Sequence, residues 1–310
     1  MKSSRRLQHI FRIIKKYHSE VVHSKASTLF INYLETFDLQ NIDLPNIYNY
    51  TTLKKQQIDA QILGLKTLDD KKKYDLVITS IPKSREEALG QIALAYQQTK
   101  IGGILVLEGR KRNGIESIIK VLLNKLRIHQ LISKAHGKFA VIKVEFETIN
   151  IISKWLTYTI PAKNKDGFYS MPGLFSYKTI DPASQFLTST FNNQLEGHVI
   201  DLGAGWGVLS SELLKKSTNI KSITLMDHDL RAIACAKKNI SNPKAKFKWM
   251  DINEINNFKF KFDYAISNPP FHSNKGRNID LGKSFIIAAH KVLKPRGHFF
   301  LVANIQLPYE

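Results

Sequence analysis

Apolar residues at the start of the chain recur at helical spacing. Leu7, Ile10, Phe11, Ile14, Tyr17 and Val21 share one face, with Arg5, Arg6, Arg12, Lys15 and Lys16 between them and Glu20 as the single acid of the first 28 residues. The pattern predicts a basic amphipathic helix docked by its apolar face. The competing reading is a transit peptide or a membrane-surface helix; an apolar secretion core is missing. Further on, helical spacing gives way to short apolar runs. Val199-Ile200-Asp201-Leu202, residues 222–227, residues 247–251, Tyr264-Ala265-Ile266-Ser267 and residues 299–303 read as strands, with helical stretches such as 231–236 between them. Alternation of this kind predicts a doubly wound α/β sheet.

The pattern occurs twice. Tyr74-Asp75-Leu76-Val77-Ile78-Thr79-Ser80-Ile81-Pro82 matches residues 262–270, and residues 101–107 match residues 295–301. Two tandem Rossmann-like α/β domains are therefore expected, residues 1–150 and 151–310, with the link inside residues 150–167. The first copy is degenerate. Its first glycine is Gly64, so no glycine-rich loop precedes that point, and Ser80 and Lys83 stand where the second copy has Asn268 and Phe271. An RNA-binding or structural role suits it better than chemistry.

Charge adds a partner class. The 310 residues carry 46 Lys and Arg against 26 Asp and Glu, a net charge of +20. Residues 100–143 alone hold ten basic side chains against Glu108 and Glu116. Such a balance favours an anionic partner, foremost nucleic acid. Cys235 is the only cysteine, which excludes an internal disulfide framework and fits a reducing cytoplasm; it reads as a small buried apolar residue. The ten histidines show no metal-ligand spacing, so no metal is expected, and no apolar run approaches transmembrane length.

Candidate chemistry is concentrated in the second half. Asp201-Leu202-Gly203-Ala204-Gly205-Trp206-Gly207 follows a strand and opens a helix. The glycines allow a tight turn and close approach of the backbone to a ligand. The spacing G-x-G-x-G differs from the dinucleotide fingerprint, and Asp201 would repel a pyrophosphate. S-adenosyl-L-methionine, which carries an ammonium and a sulfonium, suits that acid. Asp227 ends the next strand, in place to accept from ribose hydroxyls, and Asp251 ends the third, in place to meet an adenine amino group. Each acid alone reads as a solvated turn carboxylate; three at successive strand ends do not. A fourth strand ends in Asn268-Pro269-Pro270-Phe271. The Asn268 side-chain oxygen and the Pro269 carbonyl can accept from a planar exocyclic amine, the prolines stiffen the turn, and Phe271 gives a base a stacking surface. His272 reads equally as a substrate contact or a solvated loop residue. These features predict direct methyl transfer by positioned acceptors, without a general base.

The glycine segment, residues 266–272, Val302-Ala303-Asn304 and Leu307-Pro308-Tyr309 resemble the bacterial small-subunit ribosomal RNA guanine-N2 methyltransferase C family. Pro172-Gly173-Leu174-Phe175-Ser176, Asp181-Pro182-Ala183-Ser184-Gln185 and, less specifically, residues 82–88 are also similar to segments of that family. The resemblance implies a degenerate methyltransferase domain followed by a catalytic one. It also implies S-adenosyl-L-methionine as donor, lined by Asp201, Gly203, Gly205, Gly207, Asp227 and Asp251. Residues 268–271 would hold a guanine of 16S ribosomal RNA or of the small ribosomal subunit. Two departures stand out. The family continues into a last helix and an antiparallel strand pair, so an end at Glu310 implies truncation after the fifth strand and an exposed edge. Trp206 puts bulk into the glycine loop, where it either packs on the donor or crowds it. The alternatives are a methyltransferase for another RNA guanine, adenine N6 or a protein glutamine, and a catalytically inactive RNA-binding protein.

Overall fold

The computed structural model of the chain describes residues 4–33, 44, 46–134, 137–193, 195–269, 272–273, 276–277 and 279–303. Pro270, Phe271, Asn304, Leu307, Pro308 and Tyr309 lie outside the described residues. The chain divides into two units, Met1–Ile160 and Pro161–Glu310.

In the first unit, α1 (Ser4–Tyr17) forms where the spacing predicts it. It buries Leu7, Ile10, Phe11 and Ile14 and leaves Arg12, Lys15 and Lys16 exposed, so it is a docked helix. There follow β1 (Thr28–Ile31), β2 (Ile47–Tyr50), α2 (Lys54–Ile62), β3 (Lys66–Thr67), β4 (Tyr74–Ser80), α3 (Arg85–Gln98), β5 (Thr99–Arg110), α4 (Ile115–Leu123), β6 (Gln130–Lys134), β7 (Gly137–Lys143) and α5 (Ile149–Ser153). The sheet order is β3-β2-β1-β4-β5-β7-β6, parallel except at β7, which runs antiparallel to β5 and β6. Phe30, Leu76, Ile78, Ile104 and Val106 pack on one face with α1, while Leu29, Val77, Leu105 and Leu107 pack on the other with α3 and α4. Burial on both faces explains the unbroken apolar runs.

The division falls at residue 160 rather than 150. Ile152 on α5 is buried in the first unit's core, and Trp155, Leu156 and Tyr158 pack against that core. The contact is close: a Cβ on Gly90 of α3 would lie 2.9 Å from the Tyr158 Cβ.

The second unit contains β8 (Ala162–Lys163), β9 (Tyr169–Ser170), α6 (Pro182–Ser189), β10 (Gly197–Leu202), α7 (Val208–Lys216), β11 (Ile220–Asp227), α8 (Leu230–Asn239) and β12 (Ala245–Trp249). It continues with β13 (Phe262–Ser267), the short pair β14 (His272–Ser273) and β15 (Gly276–Arg277), α9 (Ile279–Val292) and β16 (Leu293–Leu301). Its main sheet runs β12-β11-β10-β13-β16, parallel throughout. This is the order of β3-β2-β1-β4-β5 repeated. The chain reverses direction across the sheet between β10 and β13, and a crevice for ligands opens beyond the carboxyl ends of strands at such a point.

The duplication extends to one ion pair. Asp75 accepts from the Ser27 N–H at 2.8 Å and from Lys100 Nζ at 2.6 Å; Asp263 accepts from the His198 N–H at 2.8 Å and from Lys294 Nζ at 2.7 Å. Each lysine precedes a turn with a positive φ, +78° at Gly102 and +65° at Arg296. Burial pushes both carboxyls up, but the lysine and the backbone N–H outweigh it and hold both below the ordinary 3.8. A depressed carboxyl contributes stability above its unfolded pKa and loses it as pH falls through the folded one. Asp263→Asn is therefore expected to cost about 1 kcal/mol at neutral pH, with the difference lost in acid once pH has fallen through the folded pKa, below 3.8. Urea unfolding of both proteins at neutral and acid pH checks this.

Candidate functional site

Beyond β10 the backbone turns sharply on three glycines, with φ of +69° at Gly203, +55° at Gly205 and +90° at Gly207. Their surroundings differ. A Cβ on Gly203 would sit 2.9 Å from the Phe285 ring, and one on Gly207 would meet the Ile240 Cδ1 at 3.1 Å. A Cβ on Gly205 would meet nothing within 4 Å. Gly203 and Gly207 thus let the loop pack inward on α9 and α8, while Gly205 faces open space a ligand can enter. The Gly203 and Ala204 N–H groups both donate to the Met226 carbonyl at 2.9 Å, which ties the loop to β11.

Asp201 is fully buried beneath this loop. Its Oδ2 accepts from the Ser210 hydroxyl at 2.6 Å, and its Oδ1 is buried without a hydrogen-bond partner. Burial raises its pKa to about 7, with Asp227 adding to the rise and Ser210 opposing it. Asp227, at the end of β11, is buried and accepts from the Gly205 N–H at 2.8 Å and the Asp229 N–H at 2.8 Å. Oδ2 takes the Gly205 N–H and keeps a second lone pair for a ligand hydroxyl, whereas Oδ1 takes the Asp229 N–H and also faces His228. The exposed His228 has its Nδ1 3.3 Å from Asp227 Oδ1, and this hydrogen bond raises the imidazole pKa. Asp251 follows β12 half-buried and caps the 3₁₀ turn Ile252–Asn257, accepting from the Asn253 N–H at 2.9 Å.

Trp206 leaves the donor side of the loop free. It is buried among Met171, Leu174, Val208, Ala232 and Cys235, and its indole N–H donates to the Phe175 carbonyl at 3.0 Å. The expectation that it packs on or crowds a ligand is corrected by this packing: an indole is bulky and apolar, and the segment before α6 supplies both an apolar pocket and an acceptor. Cys235 is an inert member of the same cluster, its thiol pushed up to about 12 by burial. Asn239 joins this region to the loop by donating to the Trp206 and Tyr169 carbonyls, both at 2.8 Å.

Asn268 stands at the carboxyl end of β13, next to β10 in the sheet. The Ser267 hydroxyl donates to the Leu202 carbonyl at 2.6 Å, pinning the two strand ends together. The Asn268 amide nitrogen donates to Asp181 Oδ2 at 2.9 Å and to Ser184 Oγ at 2.9 Å. Pro269 is buried. Pro270 and Phe271 lie outside the described residues, so the stacking expectation stays at the level of sequence. The structure thus brings Asp201, Gly203, Gly205, Gly207, Asp227 and Asn268 to one edge of one sheet. Ser210, His228, Asp181 and Ser184 join them without having been singled out for the site. Asp181-Pro182 carried a legible helix-start signal, an acid at the cap and proline in the first turn; its partner 87 residues away did not.

Among the described residues no three metal-ligating side chains gather, and no helix is long and apolar enough to cross a membrane.

Comparison with known proteins follows the two-unit division. The Methyltransferase small domain family matches residues 165–310, and the Methyltransferase small domain N-terminal family matches residues 21–156. A Ribosomal RNA small subunit methyltransferase C of Psychromonas ingrahamii is 29% identical over 84% of this chain and 76% of its own length. One from Haemophilus influenzae is 32% identical over 76% of this chain and 71% of its own length. Among solved structures, a T. thermophilus 16S rRNA guanine-N2 methyltransferase in complex with AdoMet and guanosine shares the fold with a TM-score of 0.74 at 22% identity, covering 95% of this chain and 86% of that one.

Proposed function

This chain belongs to the ribosomal RNA small subunit methyltransferase C family, and from that premise we propose how its own residues perform the reaction. It is an S-adenosyl-L-methionine-dependent methyltransferase acting on the exocyclic N2 amine of a guanine in 16S ribosomal RNA. The second unit is proposed as the catalytic domain. The first, which has the same strand order but no glycine loop, is proposed to bind RNA or support the fold.

The residues at the glycine loop fit a cationic, adenosine-bearing donor. Gly205 leaves space against the backbone, and the unpartnered Asp201 Oδ1 offers an acceptor beneath it. Asp227 would take the ribose hydroxyls and Asp251 the adenine amino group. When bound, the donor supplies a methyl carbon that the amine nitrogen attacks while the carbon–sulfur bond breaks and its electron pair returns to sulfur. Asn268 Oδ1 and the Pro269 carbonyl accept the two N–H bonds of the amine. That grip favours a pyramidal nitrogen with its lone pair aimed at the methyl, so it acts most strongly in the transition state. The proton left on nitrogen passes to water, which removes the need for a general base.

The observation that carries this reading is the Asn268 amide, held by its nitrogen at the strand end beside the glycine loop. Incubation with unmethylated 16S RNA, free or in small ribosomal subunits, and nucleoside mass spectrometry tests it. N2-methylguanosine is the expected product; N6-methyladenosine would move the reading to the adenine alternative.

Affinity for RNA has a separate source. Extruding a base from a duplex costs a few kcal/mol, which one aromatic stack only offsets. Phosphate contacts made by the surplus of 20 positive charges must supply the rest. The apparent Kd for RNA is expected to weaken by roughly three orders of magnitude between about 50 and 200 mM salt if six or more phosphates are contacted. Donor affinity over the same range should hardly move, and titrations of each ligand at several salt concentrations separate the two.

A further inference from the structure

An asparagine amide has two protons and one oxygen, and at Asn268 both protons are committed. Nδ2 donates to Asp181 Oδ2 at 2.9 Å and to Ser184 Oγ at 2.9 Å. A carboxylate only accepts, so turning the amide over would set its oxygen against the oxygens of Asp181. The carboxylate is itself held in place, because Asp181 caps α6 and its Oδ2 also accepts from the Ser184 N–H at 3.1 Å. Ser184 is buried, so its hydroxyl is fixed by packing. Asn268 Oδ1 remains as the one acceptor this side chain can offer to a substrate.

We propose that Asp181, with Ser184, is a positioning residue for methyl transfer: it locks the Asn268 amide with its oxygen toward the acceptor amine and strengthens that oxygen as an acceptor. This rests on the reading that Asn268 grips the amine. The strengthening follows from amide resonance. A hydrogen bond from the amide N–H to a carboxylate stabilises the form with positive nitrogen and negative oxygen, so the two bonds to Asn268 reinforce each other. During transfer the nitrogen–carbon bond forms, the carbon–sulfur bond breaks with its pair on sulfur, and the amine nitrogen is positive until its proton leaves to water. The charge of Asp181 reaches that nitrogen through one amide. Its benefit grows as the positive charge develops, and so it appears in kcat more than in binding.

The lock also shapes specificity. An amide presented by its oxygen alone accepts from an NH2 group and meets a base keto oxygen with repulsion. An unlocked amide would turn over and serve both.

Two substitutions separate positioning from support of the fold. Asp181→Ser keeps a good helix cap and removes the carboxylate; Asp181→Asn keeps shape and reach and removes the charge. Both proteins are expected to bind S-adenosyl-L-methionine within about twofold of the native Kd. Single-turnover methylation of 16S RNA at saturating donor is expected to slow by roughly tenfold to a hundredfold in Asp181→Ser, with Asp181→Asn between it and the native protein. The deciding measurement is a cycle with Asn268→Ala. If Asp181 acts through Asn268, the Asp181→Ser, Asn268→Ala protein is no slower than Asn268→Ala alone. A native rate in both Asp181 variants overturns the proposal, and so does a double variant slowed by the product of the single effects. Should the native protein leave guanine N2 unmethylated, the function proposed above fails first, whatever the Asp181 variants do.

Discussion

Asn268→Ala is expected to lower kcat by about a hundred- to a thousandfold while leaving donor affinity within about twofold. Loss of one preorganised hydrogen-bonding group at a reacting centre has costs of this size. Removing the amide leaves Asp181 Oδ2 with the Ser184 N–H alone and takes one donor from Ser184 Oγ, and neither group can supply the lost acceptor oxygen. Asn268→Asp is expected to be at least as harmful: it would set a second carboxylate against Asp181 and offer no N–H to it. Donor affinity should hold because the glycine loop is tied to β11 through Met226 and Asp227 rather than to Asn268. Single-turnover rates with calorimetric donor titrations check both halves. A large loss of donor affinity would mean that Asn268 supports the loop instead of gripping the amine.

How much of this was legible in the sequence depended on range. Strands β4 and β5 of the first sheet and β10, β11 and β13 of the second were readable because burial on both faces makes their apolar runs continuous, and α1 because its apolar stripe is unbroken. The acids at strand ends were readable because a parallel sheet brings its carboxyl ends together. Boundaries were less so. The fifth strand of the second unit was expected at residues 299–303, but pairing begins at Leu293, since the turn at Arg296 continues the ladder to Phe262. Likewise residues 151–160 carry no composition shift, and the packing of Ile152, Trp155, Leu156 and Tyr158 on the first core assigns them to the first unit. Trp206 misled because a bulky residue among glycines suggests crowding, whereas its direction is set by a pocket from residues 168–180. The Asp181–Asn268 bond was invisible for the plainest reason: it spans 87 positions, and neither residue's local pattern requires the other.

The two units show what the glycine loop adds to a common frame. Thr79 donates to the Ile31 carbonyl at 3.0 Å just as Ser267 donates to Leu202 at 2.6 Å, so both sheets close their central strand ends alike. After that bond the copies diverge. Ser80 turns to Glu108 at 3.1 Å inside its own unit, where Asn268 instead meets the cap of α6. The first copy has the scaffold of a site with its functional groups turned to one another. That arrangement fits its proposed role in binding or support.

Donor affinity is expected to rise with pH and to level off above about pH 7, and Asp201 is the reason. Burial raises this carboxyl to about 7, so the free protein holds it largely protonated at mildly acid pH. The ordinary value is 3.8. Within that window the folded state binds more protons than the unfolded one, so the contribution of Asp201 to stability falls as pH rises from 3.8 towards 7. The ionised form costs the fold on the order of 4 kcal/mol at most, taken from a shift of about three units. A cationic donor reverses the balance by pairing with the carboxylate, which lowers its pKa and releases a proton on binding. Affinity should therefore change by up to about tenfold per unit below pH 7. Calorimetry from about pH 5.5 to 6.7 stays about a unit below the pKa of an α-amino group, so the slope in that range reports the protein. Asp201→Asn is the control. It should fold with less sensitivity to pH, bind the donor more weakly at neutral pH and show a flat profile. A native protein with a flat profile, or a variant that keeps the slope, would assign the proton to another group, with His228 beside Asp227 the first to examine.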